Sequence, residues 1–307
     1  MVENIFITGS TGCVGHYLVE QFANKPQYKM YLLIRDKKRF LLDIDAVKNA
    51  ELIVGDVEKL DSLAPLLKQM DHVIHIATSW CGSKECIIEA PLKLLELLDH
   101  KRVKKIIFFS TASILGRGNK PLKEAGEIGT SYIKDKYQSY LAVQSSKYKD
   151  KVIHVFPTVI VGGDRTHPFT HISQGLKEPG KYLKWLKYFY IDLGFHFIHA
   201  RDIAEVMNYM LENEVKGNNF VLGNDYILLK DFIKQCCDYY KIKTWIRIKI
   251  PTGFIKFIIK FFRIKVDPWG YFSLNYKFFH YDTVNCRVFK IPTMLYNIQD
   301  ILKQSEK

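Results

Sequence analysis

A glycine-rich loop near the amino terminus constrains the fold more than any other segment of the sequence. It reads Thr8-Gly9-Ser10-Thr11-Gly12-Cys13-Val14-Gly15 and lies between an apolar run at residues 5–7 and a stretch with helical spacing. Its glycines allow a sharp turn, a close approach of the backbone to a pyrophosphate and tight packing of helix on strand. The helix amino terminus adds unpaired N–H groups and a partial positive charge. The loop therefore predicts nucleotide binding; the alternative is an ordinary strand-to-helix turn.

Short apolar runs alternate with helical patterns through the first half of the chain. Such continuous runs are typical of parallel strands that are buried on both faces. Alternating strands and helices imply right-handed crossovers and a doubly wound sheet. The expected strands are residues 5–7, 30–34, 52–54, 72–76, 106–109 and 152–156, and the expected helices are residues 15–24, 60–69, 87–100 and 137–147.

We therefore predict an α/β fold, with a doubly wound parallel sheet of Rossmann type and a smaller carboxyl-terminal substrate lobe. The dinucleotide-binding domain is predicted to comprise residues 1–156. Residues 197–213 have the pattern of a further helix of this domain, so that 195–215 returns to it. The substrate lobe is predicted to comprise residues 157–194 and 216–307, where the alternation loosens and aromatic residues become dense.

The composition is that of a globular protein with a large core. The 307 residues are 48% hydrophobic and 25% charged, which excludes disordered and fibrous classes. The six cysteines, at positions 13, 81, 86, 236, 237 and 286, have no Cys-x-x-Cys pair, so we expect no metal site and no disulfide scaffold. A reducing, cytoplasmic location fits best. We also expect no secretory signal and no spanning helix, because no window reaches about 18 uninterrupted apolar residues.

The chain is strongly basic, with 45 lysines and arginines against 32 acidic residues. Such an excess attracts phosphates, anionic lipid headgroups or nucleic acid. No nucleic-acid motif accompanies the charge, so we predict no nucleic-acid partner. A homodimer is compatible with the sequence, which does not determine the oligomeric state.

Much of the positive charge lies in a basic, aromatic segment near the carboxyl terminus. Residues 253–265 place Lys256, Lys260 and Arg263 on one helical face, and the other side chains are mostly large and apolar. One interpretation is a helix that makes peripheral contact with an anionic membrane or flanks the mouth of a lipophilic pocket. The alternative is a core helix of the second lobe whose single wet face is basic.

The end of the second expected strand bears on the choice of cofactor. An arginine there accommodates the 2′-phosphate of NADP, whereas an acidic residue hydrogen-bonds the ribose of NAD. Arg35 comes first and Asp36 second, so NADP is favoured and NAD is the alternative. Asp56, after the third strand, is placed to accept a hydrogen bond from the adenine amino group; its alternative role is a helix cap before Leu60.

Two further motifs carry a resemblance to a known family. Ser110-Thr111-Ala112-Ser113 follows the fifth strand, and Tyr132-Ile133-Lys134-Asp135-Lys136 comes about twenty residues later. With the glycine loop, these motifs resemble the extended short-chain dehydrogenases/reductases, the NAD-dependent epimerase/dehydratase superfamily. Residues 156–163 and 197–204 are similar to later markers of the family, and the resemblance extends to about residue 225. It implies an NAD(P)-dependent enzyme.

The Tyr-x-x-x-Lys spacing occurs three times, beginning at Tyr132, Tyr226 and Tyr239, but only the first follows the Ser-Thr strand. A four-residue spacing places both side chains on one helical face. The Lys136 ammonium is then expected to lower the pKa of Tyr132 toward the working pH.

The resemblance implies a catalytic triad of Thr111, Tyr132 and Lys136, in which Thr111 hydrogen-bonds the substrate oxygen. Ser110 or Ser113 is the competing choice for this hydroxyl. The implied cofactor-binding residues are Thr8, Gly9, Thr11, Gly12, Cys13, Val14, Gly15, Arg35, Asp56, Val57, Ala77, Ser110, Tyr132, Lys136 and Pro157.

Two departures from the sugar-epimerase pattern bear on the substrate. Ile87 and Pro91 stand where many epimerases carry Asn and Thr, and Pro91 is expected to interrupt its helix. Phe156 and Val159 stand where they carry Arg and Asn. The chain is therefore more similar to the dihydroflavonol-reductase and 3-hydroxysteroid-dehydrogenase branch. This similarity implies hydride transfer to or from an apolar small molecule of a sterol-, isoprenoid- or phenolic-like kind. The alternatives are a sugar epimerase or dehydratase and a non-catalytic nucleotide-binding assembly factor.

Overall fold

The structure is a computed structural model that describes residues 2–79, 83–177, 183, 187–244, 247–276 and 279–306. Its strands are β1 (Glu3–Thr8), β2 (Tyr28–Ile34), β3 (Ala50–Val54), β4 (His72–His75), β5 (Lys105–Phe109), β6 (Val152–Pro157), β7 (Val159–Val161), β8 (Phe189–Tyr190), β9 (Gly194–Phe195), β10 (Phe197–His199), β11 (Asn219–Leu222), β12 (Ile227–Leu228), β13 (Ile248–Lys249) and β14 (Thr283–Val284).

Its α-helices are α1 (Cys13–Ala23), α2 (Ala64–Leu67), α3 (Ala90–Leu97), α4 (Lys123–Ile128), α5 (Ser131–Gln144), α6 (His171–Lys177), α7 (Ala200–Glu212), α8 (Leu229–Tyr239), α9 (Thr252–Phe261), α10 (Pro268–Tyr276) and α11 (Ile298–Ser305). Short 3-10 turns occur at Lys37–Arg39, Ile44–Ala46, Asp61–Leu63, Ala112–Ile114 and Arg117–Asn119, and a π turn at Glu85–Glu89.

The main sheet has eight strands in the order β14-β11-β6-β5-β4-β1-β2-β3, and every neighbouring pair is parallel. This confirms the predicted α/β class and the doubly wound sheet. The strand order reverses at β1, which lies between β2 and β4. In open α/β sheets such a reversal opens a crevice at the carboxyl ends of the strands, where ligands bind. The glycine loop leaves β1 at this point.

Apolar side chains cover both faces of the sheet. On one face α1 packs with α7, where Tyr17, Leu18 and Phe22 are fully buried together with Met207. Lys25 Nζ also lies 2.6 Å from a Glu212 carboxylate oxygen and so links the ends of the two helices. The opposite face is covered mainly by α3 and α5. Burial on both faces explains why the central strands read as continuous apolar runs.

Prolines make two predicted helices shorter than expected. Pro91 lies in the first turn of α3, and the preceding turn is a π turn in which the Ala90 N–H donates to the Glu85 carbonyl. Because proline has no N–H and clashes with the preceding turn, the regular helix begins only at residue 90. Pro65 likewise lies in the first turn of α2, so the expected helix 60–69 is a 3-10 turn followed by four α-helical residues.

Residues 197–213 are not one helix, which corrects the prediction. Phe197–His199 forms β10, which pairs in parallel with β7, and α7 starts at Ala200. The imidazole of His199 accepts a hydrogen bond from the Arg201 N–H at 3.1 Å and so caps this helix. This helix packs on α1, which covers one face of the main sheet.

The second lobe is built from two-stranded sheets (β7 with β10, β9 with β12, β8 with β13) and a cluster in which α8 packs on α11. Two strands from the range predicted for this lobe, β11 and β14, instead extend the main sheet. The predicted boundary at residue 216 therefore assigns two strands of the main sheet to the second lobe. The remaining domain division stays a prediction.

The basic aromatic segment is not a core helix, so that alternative is wrong. None of the residues of α9 is buried. The helix ends at Phe261 because Arg263 adopts a φ of 48° and the Ile264 N–H donates to the Ile259 carbonyl, a Schellman-type ending. Lys256 and Lys260, four residues apart, lie on one face of this helix, and Lys256 Nζ donates to the side chain of Asn275 there.

Cysteines 13, 86, 236, 237 and 286 are free thiols, and Cys81 lies outside the described residues. Within the described ranges, no cluster of His, Cys, Asp and Glu side chains is arranged to hold a metal ion. None of the described helices combines the length and the apolar character that crossing a bilayer requires.

Candidate active site

The glycine loop packs too closely for side chains at two positions. Gly9 has a φ of +79°, and a Cβ there would lie 2.7 Å from the amide nitrogen of Ala77. A Cβ on Gly15 would lie 2.3 Å from the carbonyl oxygen of Gly9. Glycine is required at both positions because backbone atoms, which cannot rotate away, occupy the space.

The amino terminus of α1 is open to an anion. Gly12 caps this helix in an extended conformation, no described side chain caps it by a hydrogen bond, and its first turn contains no acidic residue. Burial raises the pKa of the Cys13 thiol to about 12, so this side chain is neutral. Thr11 is half-buried and Val14 is buried at the same end of the helix. The helix terminus therefore keeps its partial positive charge.

Thr8 braces the carboxyl ends of β1 and β4. Its hydroxyl lies 2.9 Å from Nδ1 of His75 and accepts a hydrogen bond from the Ala77 N–H at 3.2 Å. Burial, with a smaller effect of nearby Lys136, lowers the pKa of His75 to about 3. This imidazole is therefore neutral. The side chains of His75 and Thr8 lie at the bottom of the crevice. Ala77 lies beside the glycine loop.

Arg35 lies at the exposed end of β2, as predicted. The carboxylate of Asp36 accepts a hydrogen bond from the Lys38 N–H at 2.9 Å and caps the turn Lys37–Arg39. This carboxylate is therefore engaged by its own backbone. Arg35 is left as the side chain nearest the strand end.

Asp56 is half-buried after β3, and its carboxylate accepts a hydrogen bond from the Glu58 N–H at 3.1 Å. The turn role of this residue is thus present, and a role toward adenine stays a prediction. Val57 beside it is buried. Burial raises the pKa of the Cys86 thiol, and charges on Glu58, Lys136, Arg35 and Asp56 also act on it. The charges of these four side chains therefore reach Cys86.

The structure brings Thr111 and Tyr132 together. The side chains of Thr78 and Thr111 lie close enough to the Tyr132 hydroxyl to act on its pKa. Burial raises the pKa of Tyr132 to about 12, although both threonines act in the opposite direction. The expectation that Lys136 lowers this pKa is therefore wrong for this structure, because burial dominates.

Lys136 lies one turn after Tyr132 on α5, whose start is set by the Thr130 cap. Its side chain is only 3% exposed, and its Nζ donates to the Phe109 carbonyl at 3.1 Å. Burial lowers the pKa of this ammonium to about 8. A buried lysine in this position carries further N–H donors and a proton that it holds weakly.

Of the three candidate hydroxyls after β5, that of Thr111 acts on the pKa of Tyr132. The Ser110 side chain is buried, and its Oγ has no hydrogen-bond partner among the described residues. The Ser113 N–H donates to Thr111 Oγ1 at 3.3 Å, and the Ser113 side chain lines a cavity. The geometry favours Thr111.

This cavity, of about 390 Å³, lies between the carboxyl ends of β5 and β6 and the second lobe. The lining is mainly apolar, and its one carboxylate, Asp192, is ion-paired with Lys249. The Tyr132 ring packs against the cluster that contains Trp269 and Tyr281. The lining residues are Ala112, Ser113, Pro157, Thr158, Val159, Ile191, Asp192, Leu193, Gly194, Phe195, His196, Thr252, Trp269, Gly270, Ser273, Leu274, Phe279 and Tyr281.

Residues 5–223 match the model of the family described as "NAD dependent epimerase/dehydratase family". The chain belongs to this family. No curated protein matches the sequence. As a member of the family it is an enzyme of the extended short-chain dehydrogenase/reductase type, which the resemblance predicted.

Solved structures share the fold over nearly the whole chain. Vestitone reductase from alfalfa (Medicago sativa L.) is 17% identical with a TM-score of 0.66, covering 98% of this chain and 96% of that one. The dTDP-glucose 4,6-dehydratase of Bacillus anthracis, in complex with NAD, is 14% identical with a TM-score of 0.66, covering 99% and 95%. The protein gox2253 is 22% identical with a TM-score of 0.71, covering 99% and 96%.

The crevice of this epimerase/dehydratase family member fits a nicotinamide dinucleotide. The backbone space at Gly9 and Gly15 is filled by other backbone atoms, so the loop is as tight as a pyrophosphate cradle requires. The buried Oγ of Ser110, without a partner among the described residues, is a polar group available in the crevice. These observations agree with the family's cofactor class.

Three side chains of the site were not predicted from the sequence. Thr78 contacts Tyr132, His75 contacts Thr8, and Cys86 lies near Lys136. His75 lies at the end of a predicted strand, and Thr78 lies just after it. The carboxyl ends of parallel strands meet at one edge of the sheet, so this position could have indicated that both residues belong to the site. Cys86 lies in the π turn, for which the sequence offers no comparable signal.

Proposed function

We propose that the protein is an NADP-preferring oxidoreductase that interconverts a carbonyl group and a secondary alcohol on an apolar substrate. The observation that carries the proposal is the proximity of the Thr111 side chain to the Tyr132 hydroxyl, one helical turn before the buried Lys136 and next to the mainly apolar cavity. Cofactor class follows from the family, whereas substrate and reaction are the proposal.

The chemistry of the cavity supports an apolar substrate rather than a nucleotide sugar. A diphosphate is normally held by arginine or lysine side chains. The described lining residues include no lysine and no arginine. Their carboxylate, that of Asp192, is ion-paired with Lys249, and without this pair it would repel an anion. Trp269, Phe279 and Leu274 instead offer apolar surface.

The protonation states favour reduction. A bound nicotinamide supplies or accepts the hydride. Tyr132, whose pKa is raised to about 12, is protonated at neutral pH and donates its hydroxyl proton to the carbonyl oxygen. Thr111 donates a hydrogen bond to the same oxygen as charge develops there. Lys136 stabilises the resulting tyrosinate and, with its remaining N–H donors, orients the ribose.

The cofactor preference rests on the end of β2. Arg35 is exposed there, and Asp36 is engaged in capping the following turn. A guanidinium matches a phosphate monoester by charge and by its paired N–H donors. The exposed Arg35 at the end of β2 therefore supports a preference for NADP over NAD as the cofactor.

The reaction class is tested with purified protein, NADPH and two panels of compounds, apolar ketones and nucleotide sugars. We expect net consumption of NADPH with at least one ketone and formation of one alcohol for each NADPH consumed. Sugar isomerisation with no net change in the cofactor would contradict the proposal and assign the epimerase alternative.

Tyr132→Phe tests the role of the hydroxyl. Removing the transferable proton while keeping the ring should lower kcat by about 10²–10⁴-fold and leave NADPH affinity nearly unchanged. Tyr137→Phe, on the same helix, is the matched control and should retain activity. Full turnover of Tyr132→Phe on the true substrate would remove this residue from the mechanism, and unaltered cellular function of an inactive variant would favour the non-catalytic alternative.

A further inference from the structure

An exposed aromatic surface covers the outer side of α9. We define the aromatic ridge as Phe254, Phe257, Phe261, Phe262 and Ile264, whose side chains are 49–67% exposed. The first three phenylalanines follow the spacing i, i+3, i+7 and share one helical face. Successive ring centroids along the ridge lie 6.4, 5.6 and 5.1 Å apart. The rings thus form one continuous apolar surface.

The other side of α9 attaches the helix to the protein. Lys256 Nζ donates to the Asn275 side-chain oxygen at 2.5 Å and lies 5.9 Å from the centre of the Tyr271 ring. Both partners belong to α10. The ridge therefore faces outward from a helix whose inner side is already in contact with the protein.

The segment of sequence that carries the ridge has only one sign of charge. The sequence has no acidic residue between Asp238 and Asp267. Lys260, Arg263 and Lys265 are exposed beside the phenylalanines. A second copy of the chain would bring two such cationic surfaces together across a symmetric interface, which is unfavourable. An anionic lipid surface matches both properties, because it accepts aromatic rings at headgroup depth and attracts cations.

We propose that residues 252–265, which comprise α9 and the turn after it, form an interfacial segment that docks the protein on an anionic lipid bilayer. The ridge enters the headgroup region, and the long side chains of Lys260 and Lys265 extend toward the lipid phosphates.

Docking would place the substrate cavity next to the bilayer. Thr252, the first residue of α9, lines the cavity, as do Trp269, Ser273 and Leu274 of α10, the helix that α9 contacts. An apolar alcohol or ketone dissolved in the membrane then has a short path to the site. This second step, that the substrate is a membrane-dissolved alcohol or ketone, rests on the proposed function; docking itself does not.

The test is flotation of the full-length protein, loaded with NADPH, with vesicles of two compositions. We expect binding to mixed phosphatidylcholine–phosphatidylglycerol vesicles, little binding to phosphatidylcholine alone, and weaker binding as salt rises. Failure to float with the anionic vesicles at low salt would overturn docking.

Variants separate the apolar and the charged contributions. Phe261→Glu should lower the vesicle partition coefficient at least about tenfold, because burying a phenylalanine is worth about 1.5–3 kcal/mol. Lys260→Gln should lower it about fivefold, since one cation near an anionic surface is worth about 1 kcal/mol. Both side chains are exposed, so the thermal unfolding midpoint should stay unchanged.

Met294→Glu is the matched control, because Met294 is apolar and 84% exposed outside the ridge. An equal loss of flotation in this variant, or none in Phe261→Glu, would overturn the proposal. So would a dimer in light scattering that Phe261→Glu dissociates, since the ridge would then be an interface between copies.

Cofactor titration and turnover of a water-soluble ketone distinguish this proposal from the proposed function. Ridge variants should retain both while losing flotation and turnover of vesicle-borne ketones. Flotation without any ketone reduction would refute the proposed function and leave docking in place. Reduction without flotation would refute docking alone.

Discussion

The two helices α1 and α9 are similar in length and both rich in apolar residues, yet their surroundings are opposite. In α1 the residues 14–19 and Phe22 are buried, whereas α9 has no buried residue. The sheet covers one side of α1 and α7 covers another, whereas the described contacts of α9 include Lys256 with α10 and leave none of its residues buried. Apolar content alone therefore does not determine burial, which depends on what the rest of the fold places against each face.

The largest expected difference between the two helices is in how much the free energy of unfolding falls when an apolar side chain is replaced by alanine. Leu18 is fully buried, so Leu18→Ala should lower the free energy of unfolding by about 2–5 kcal/mol. Phe261→Ala removes a larger side chain from α9 but should change it by less than about 0.5 kcal/mol, because that ring is exposed. Denaturant unfolding of both variants measures the contrast. Equal losses would show that α9 is covered in solution.

Two exposed cations, one in each region, should differ in the anion that they bind. Arg35→Ala should weaken NADPH binding by about 1.5–3 kcal/mol and NADH binding much less, since a charge-assisted contact to phosphate is lost. Lys37→Ala is the neighbouring control, and Lys260→Gln on α9 should leave both cofactor affinities unchanged. Cofactor titration is the measurement. Equal weakening of NADPH and NADH binding by Arg35→Ala would reassign the cofactor to NAD.

The same glycine substitution should have opposite signs in the two helices. Gly15→Ala places a Cβ against the Gly9 carbonyl and should cost about 1–3 kcal/mol of stability, together with NADPH affinity. Nothing lies within 4 Å of a Cβ on Gly253, so Gly253→Ala should add about 0.5–1 kcal/mol. Thermal unfolding of the two variants provides the test. A destabilised Gly253→Ala would indicate a close neighbour of α9 in solution.

A smaller, pH-dependent effect is expected where α1 meets the loop after β7. The Tyr17 hydroxyl donates to Asp164 at 3.0 Å, and the His167 ring stacks on that of Tyr17 at 3.8 Å. Burial acts to lower the pKa of His167, but its contacts with Glu20 and Asp164 outweigh burial and raise it. Burial acts to raise the pKa of Asp164, but hydrogen bonds from His167 and Thr166 lower it to about 2.

The stabilisation from His167 is therefore complete below its ordinary pKa of about 6.5 and is lost as pH rises through the raised value. The stabilisation from Asp164 is present above about 3.8 and is lost as pH falls through about 2. The unfolding midpoint should decline above neutral pH, and His167→Gln should flatten this decline. An unchanged slope in that variant would assign the decline to other groups.

The main sheet could be predicted because its central strands are buried on both faces and read as continuous apolar runs. The positions of Thr111, Tyr132 and Lys136 followed from motifs tied to strand and helix ends. Strands of two to four residues, such as β7 and β14, carry no periodic signal and depend on partners far away in the sequence. Thr78 and the cavity wall at Trp269 likewise depend on segments that only the tertiary fold brings together.

The strand order also determines how late the fold can close during synthesis. In β11, Val221 is paired with Phe156 on one side and with Thr283 on the other. The sheet therefore stays incomplete until residue 284 has left the ribosome. Parallel pairing between such distant segments folds slowly, and the open edge of β11 offers unpaired backbone groups to other chains until β14 is made. The nascent chain is consequently most exposed to aggregation just before its last strand is made.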